Sequence, residues 1–147
     1  MKLGGFDISA SALTANRLRM DVISSNIANA ETTRAGSVDG QFVPYRRKMV
    51  VVEPSQTPFK DLLNAQLNGS SAQGVRVTKI QEDQTPFKQV YNPSHPDADA
   101  SGMVYMPNVD IAKEMVDLIS ASRSYEANVT ALNASKAMFT KSLEIGR

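Results

Sequence analysis

The chain has no cysteine in its 147 residues. Disulfides, thiolate nucleophiles and zinc–thiolate sites are therefore excluded. It has one histidine, His95, set between Ser94 and Pro96, and a lone imidazole cannot assemble a zinc site. Aromatic residues make up 6%, the net charge is +1 and the pI is about 8.0. Such a balance does not select for nucleic acid or for an anionic surface. No run of about 18 apolar residues is present to form a membrane-spanning helix. Asp7 and the interleaved Ser, Gly and Thr residues break any signal-peptide apolar segment. The expected chain is soluble, or leaves the cell without a cleaved signal. There is no phosphate-cradling glycine loop, no G-x-S-x-G and no H-E-x-x-H. Neither an enzyme nor a cofactor, nucleic-acid or small-molecule-substrate site is expected.

What is present is apolar periodicity at the two ends. Ile111, Leu118, Tyr125, Leu132 and Phe139 stand seven residues apart, and no Gly or Pro lies between Asn108 and Ile145. A seven-residue repeat keeps one seam facing a partner over many turns. At 1.5 Å per residue this helix would be roughly 50 Å long, longer than a small core requires. Its partner is either the chain's own N-terminus or another subunit. Met115, Val129 and Leu143 widen the stripe, while Ser122 and Lys136 interrupt it. Asn108 is the expected N-cap, with Asp110 and Glu114 favoured by the helix dipole in the first turns. At the other end, a helix is expected from about Gly5 to Asn29. Phe6, Leu13, Met20 and Ile27 recur every seven residues and Ile23 adds a second row. Ser9 and Asn16 weaken that second row, and the polar run from Asn29 to Thr33 stops the helix.

Residues 34–107 hold all seven prolines and read as a small β-rich module. Strands are expected at Lys48–Glu53, Val75–Gln81, Phe87–Tyr91 and Met103–Met106, with a short helix at Asp61–Leu67. Gln56-Thr57-Pro58-Phe59-Lys60 recurs as Gln84-Thr85-Pro86-Phe87-Lys88. The flanks do not match, so two similar turn-then-strand starts are expected rather than a duplicated unit. The chain divides into 1–33, 34–107 and 108–147. The expected fold class is α+β: N- and C-terminal helices around a small β-rich central module.

Three clusters could carry chemistry. Asp97-Ala98-Asp99-Ala100-Ser101-Gly102 matches the first half of a calcium loop. Asn108 stands where the bidentate Glu belongs, so an Asx-rich turn is expected instead. Asp110, Glu114 and Asp117 read as a solvated helix face. Tyr45-Arg46-Arg47-Lys48 reads as charge protecting a strand edge. The helices themselves are rich in Asn, Ser, Thr and Ala, weak formers that gain most of their stability from packing. A subunit that orders on assembly is therefore expected.

Ser24-Ser25-Asn26-Ile27-Ala28-Asn29-Ala30-Glu31-Thr32-Thr33 resembles the N-terminal signature of the flagellar rod, hook and hook-associated axial proteins. Ser124-Tyr125-Glu126-Ala127-Asn128, with Ala137-Met138 and Lys141 to Gly146, resembles their C-terminal signature. Thr33-Arg34-Ala35 stands where most members carry Pro-Gly-Tyr, which points to the short proximal-rod members. Tyr91 to Gly102, Met106-Pro107-Asn108-Val109-Asp110 and Pro44-Tyr45-Arg46-Arg47-Lys48 resemble the same group. The likeness is weak from Glu53 to Gly74. The resemblance implies a structural rod subunit that lines the export channel and transmits torque. Its terminal helices would pair as an antiparallel coiled coil, and it would be secreted by the flagellar type III apparatus. It also implies neighbours: other proximal and distal rod subunits and the rod–base adapter. The implied assembly residues are Phe6, Leu13, Met20, Ile23, Ile27, Ile111, Met115, Leu118, Tyr125, Val129, Leu132 and Phe139. A calcium-dependent binding module using Asp97 and Asp99, or an export chaperone, would be the alternatives. A chaperone has no reason to carry a proline-rich β insertion.

Overall fold

The structure is a computed structural model that describes residues 4–38, 41–55 and 73–145. Helix α1 spans Gly4–Ala28. It contains no proline, and its two glycines lie in the first turn. It ends where the Asn29 side chain and backbone both donate to the Ser25 carbonyl, at 2.9 and 3.1 Å. That double use of one carbonyl closes the last turn and frees the chain to leave the helix.

Among the described residues, three antiparallel strand pairs follow. Strands β1 (Gly36–Val38) and β2 (Gln41–Val43) pair with Gly36 opposite Val43. The sequence reading missed this pair because each strand is only three residues long, too short to show alternation. Strands β3 (Lys48–Pro54) and β4 (Val75–Glu82) pair from Lys48 opposite Glu82 to Pro54 opposite Val75. The register shifts between Val51 and Val52, leaving Thr78 as an extra residue whose hydroxyl donates to the Val51 carbonyl at 3.3 Å. Strands β5 (Lys88–Tyr91) and β6 (Met103–Met106) pair with Tyr91 opposite Met103. All four expected strands are present, with ends moved by one residue at most. The expected helix at Asp61–Leu67 and the first copy of the repeated pentapeptide lie outside the described residues.

The β5–β6 connection turns on Gly102, at φ 76°. An added Cβ there would sit 3.0 Å from the Tyr91 ring and 3.2 Å from Pro93, so both the backbone and the space select glycine. The β3–β4 pair lies against α1. The Val75 amide donates to the Ser11 hydroxyl at 3.1 Å. Gly74 comes so close that a Cβ would stand 2.6 Å from that hydroxyl.

Helix α2 spans Ile111–Ile145. Its N-cap is Asp110, not Asn108: the Asp110 carboxylate accepts from the amides of Ala112 and Lys113 at 3.0 and 3.3 Å. Asn108 is drawn elsewhere because its side chain has better-placed partners in the β module. Helices α1 and α2 pack on each other. Near one end Asn26 meets Glu114, and near the other a Cβ on Gly5 would lie 3.8 Å from the Ser135 hydroxyl.

The apolar core is thin. Its buried hydrophobic members among the described residues are Ala15, Val22, Ile23, Tyr45, Val104 and Ala121. Two of the largest fully buried side chains are polar, Glu114 and Asn26. Burying polar groups is tolerated only when they are paired, and the pairing of these two locates the candidate site.

A buried polar junction as the candidate functional site

Asn26 projects from the last turns of α1 and is 1% exposed. Its amide nitrogen donates to the Lys48 carbonyl and to a Glu114 carboxylate oxygen, both at 2.9 Å. Its oxygen accepts from the Tyr45 hydroxyl at 3.0 Å and from the Lys48 amide at 2.9 Å. Every donor and acceptor of the side chain is used. The Tyr45 oxygen also lies 3.4 Å from the Ser25 hydroxyl.

Glu114, on the first turn of α2, is 0% exposed. Its second carboxylate oxygen accepts from Arg47 Nε at 2.6 Å. Arg47 also faces Asp83 at 3.4 Å and Asp117 at 3.6 Å. Burial works against the Arg47 charge, but the partners Glu114 and Asp83 outweigh it and raise its pKa. The Arg47 amide donates to the Asn108 side-chain oxygen at 2.8 Å. The Asn108 amide in turn donates to the Asp83 carbonyl at 3.2 Å and the Thr85 hydroxyl at 2.9 Å. One network thus joins α1, the start of β3, the β4–β5 turn and the head of α2.

Two expectations are corrected here. Of Asp110, Glu114 and Asp117, the first is exposed and the last partly so, but Glu114 leaves the solvated face because Arg47 reaches it and makes its burial tolerable. The Tyr45–Lys48 run does not guard a strand edge. Arg47 is the counter-charge inside the junction, Arg46 lies over the Phe87 ring at 4.5 Å, and Lys48 lies over the Tyr45 ring at 5.6 Å. Both runs were visible as charge, but their pairing spans 67 residues and leaves no local signature.

A second, more exposed junction ties the α1 exit to the β5–β6 loop. Asp97 accepts from the Thr33 hydroxyl at 2.8 Å and from Arg34 Nε at 2.6 Å. Hydrogen bonds from Arg34 and Thr33 hold the Asp97 carboxyl below the usual carboxylate range. The Asp99 carboxylate accepts from the Ser101 hydroxyl and amide and from the Met103 amide, and its pKa is lowered, chiefly by Ser101. The loop is an Asx turn between two strands. His95 is partly exposed and accepts from the Asp97 amide at 3.1 Å.

These depressed carboxyls set a pH dependence. A group whose folded pKa lies below its unfolded value stabilises the fold above the unfolded pKa, and that contribution is lost as pH falls through the folded value. For Asp83, Asp97 and Asp99 the directions agree. Urea midpoints should therefore hold level from pH 7 to about 5 and fall below about 4. Asp97→Asn removes one such group and should flatten the acid limb. An unchanged acid limb in that variant would exclude Asp97 as a contributor.

The assembly residues are distributed as follows. Ile23 is buried. Phe6, Leu13, Met20, Ile27, Leu118, Tyr125, Val129 and Leu132 are half-buried, and Ile111, Met115 and Phe139 are exposed. Of the signature residues, Asn26 lies at the centre of the junction. Ser25 and Asn29 are half-buried beside it, and Ala28 is exposed. Glu126 and Ala127 face solvent, Glu126 pairing with Arg123 at 3.0 Å. Asn128 is half-buried and donates to the Ser124 carbonyl at 2.8 Å. The residues that sequence reasoning missed as functional are Tyr45, Arg47, Asn108 and Glu114. Tyr45, Arg47 and Asn108 stand within the resembling segments, where Arg47 reads as an edge charge and Asn108 as a helix cap.

Both oxygens of the buried Glu114 carboxylate have donors, Asn26 and Arg47. The chemistry of the junction is to hold four segments in one arrangement. Comparison with known proteins agrees with that structural role. Residues 6–35 match the family described as flagella basal body rod protein, and residues 100–145 match the flagellar basal body rod FlgEFG protein C-terminal family. A flagellar basal-body rod protein FlgC of Bacillus subtilis is 58% identical over 143 residues, 96% of this chain and 95% of that one. The FlgC of Borreliella burgdorferi is 45% identical, covering 95% of this chain and 93% of its own length. The FlgC of Escherichia coli O157:H7 is 46% identical, covering 97% and 96%. On this evidence the chain belongs to the FlgC family of flagellar basal-body rod proteins, a structural family and not an enzyme family.

Proposed function

We propose that the chain is a subunit of the proximal rod that transmits torque and helps line the export channel. Its segments 1–33 and 108–147 pair as an antiparallel coiled coil, with 34–107 as a module on its flank. Two contacts support the pairing. Gly5 meets Ser135 and Asn26 meets Glu114. The separations are equal, 26 − 5 = 21 and 135 − 114 = 21, or three heptads without drift.

The observation that carries the assembly reading is the uncovered apolar surface of α2. Met115, Val116 and Ile119 are exposed near its start, and Met138, Phe139 and Leu143 near its end. Exposed apolar clusters of this kind, one at each end of the helix, mark interaction sites. In this reading Phe6, Leu13, Met20, Ile23 and Ile27 meet Leu118, Tyr125, Val129 and Leu132 within the subunit. Ile111, Met115 and Phe139 meet neighbours: other proximal-rod subunits, the distal rod or the rod–base adapter. The thin core suits secretion through the type III apparatus without a cleaved signal, because few buried contacts oppose unfolding before transit.

The test is location. An epitope-tagged chain should restore swimming to cells lacking the gene and should co-purify with isolated hook–basal bodies. Recovery only in the soluble cytoplasmic fraction of swimming cells would refute the rod reading.

A further inference from the structure

We propose that Asn26, Arg47 and Glu114 form a register lock, which makes a repetitive helix pair adopt a single alignment. The proposal rests on the antiparallel pairing above and adds a specific role to residues that the apolar seam does not explain.

The apolar seam alone is degenerate. Ile111, Leu118, Tyr125, Leu132 and Phe139 repeat at one spacing, as do Phe6, Leu13, Met20 and Ile27. Sliding one helix by seven residues again sets apolar residues against apolar residues, so hydrophobic contact discriminates poorly between alignments. Ala15 and Ala121, buried on the two helices, are too small to act as knobs that forbid the slide.

The polar junction does discriminate. In the observed alignment Asn26 finds the Glu114 carboxylate at 2.9 Å. A slide of one heptad sets Asn26 against Ala121 in one direction and Pro107 in the other. Neither side chain accepts a hydrogen bond. Glu114 would then leave Arg47, which cannot follow it. Arg47 is held to β3, whose first residue is tied to Asn26 through both the Lys48 amide and the Lys48 carbonyl. A third element therefore reads both helices at once: Asn26 sets α1 against β3, and Arg47 sets β3 against α2. A misaligned pair would bury an unpartnered carboxylate, which is the alignment-specific penalty.

The absence of cysteine makes the test direct, because introduced thiols have no competitors. In the purified full chain, Gly5→Cys with Ser135→Cys reports the observed alignment, since a Cβ at Gly5 lies 3.8 Å from the Ser135 hydroxyl. Gly5→Cys with Asn128→Cys, or with Ser142→Cys, reports the two one-heptad slides. Mild oxidation and mass spectrometry quantify intramolecular bonds in each. With the junction intact, only the Ser135 pair should close readily. Equal closure of all three would overturn the pairing itself. Glu114→Met leaves Asn26 its bonds to Tyr45 and Lys48, and leaves Arg47 near Asp83 and Asp117. In that background the off-alignment bonds should rise about tenfold with helix content unchanged by circular dichroism. Glu114→Gln keeps an acceptor for Asn26 but offers its NH2 to Arg47, so its off-alignment bonds should fall between those of the parent and of Glu114→Met. If Glu114→Met loses helix content, Glu114→Leu with Arg47→Met removes both members of the buried ion pair, leaves Asn26 its bonds to Tyr45 and Lys48, and is read the same way. A folded variant of either kind that still closes only the Ser135 pair leaves the pairing standing and overturns the lock.

Discussion

Asn26→Ala should lower the unfolding free energy by about 3–5 kcal/mol, a large share of a small domain's total stability. The substitution removes four hydrogen bonds at once. It leaves the Glu114 carboxylate oxygen, the Tyr45 hydroxyl and both backbone groups of Lys48 without their partner. Each buried group left unsatisfied costs about 1–3 kcal/mol, reduced where water can enter. The deletion also uncouples α1 from β3, so the loss exceeds that of an ordinary truncation of similar size. Asn29→Ala is the matched control. Its side chain donates to the Ser25 carbonyl at 2.9 Å and accepts a longer bond from the Thr32 hydroxyl at 3.3 Å, in a half-buried position, and its removal should cost about 1 kcal/mol. Urea denaturation of both variants decides the matter. A loss below about 1 kcal/mol for Asn26→Ala would mean that the junction is not a main stabiliser of the fold.

The second large effect separates folding from assembly. Ile119 is 59% exposed on the uncovered face of α2. Ile119→Asp should change the stability of the free chain by no more than about 0.5 kcal/mol. In cells it should abolish swimming, because a carboxylate would be buried without a partner where a neighbouring subunit packs. Leu132 is half-buried on the heptad seam. Leu132→Asp should fail in both assays, losing about 2–5 kcal/mol of packing in the free chain as well as motility. Denaturation of the purified variants, swimming and hook–basal-body yield give the comparison. Normal swimming by Ile119→Asp would show that this face is not packed in the rod. A Leu132→Asp chain as stable as the parent would show that the seam is not closed within the subunit.

Much of the element plan was legible from local pattern. The heptads of the last third and the absence of Gly and Pro there predict α2, and the polar run after Ala28 ends α1. The alternation around Val75 and Val77 and the β-branched run at Val50–Val52 predict β3 and β4. These are properties of a few neighbouring residues, and local sterics and burial periodicity suffice to set them. The terminal signatures likewise gave the family, because they lie in continuous stretches.

The junction was not legible, for a physical reason. Glu114 in isolation is a dipole-favoured carboxylate, and Arg47 in isolation is an edge cation. Only their approach across 67 residues turns two solvated charges into one buried pair. Asn108 shows the same effect: local rules make it the N-cap, but the tertiary fold offers it Arg47, Asp83 and Thr85, and Asp110 takes the cap. The sequence by itself determined that this protein has two long amphipathic ends around a β-rich middle, and that catalysis by thiol or by a multi-histidine metal site is excluded. Tertiary structure alone decided which polar residues are buried. That choice depends on which partner lies within hydrogen-bond reach in space, and distance along the chain carries no record of it.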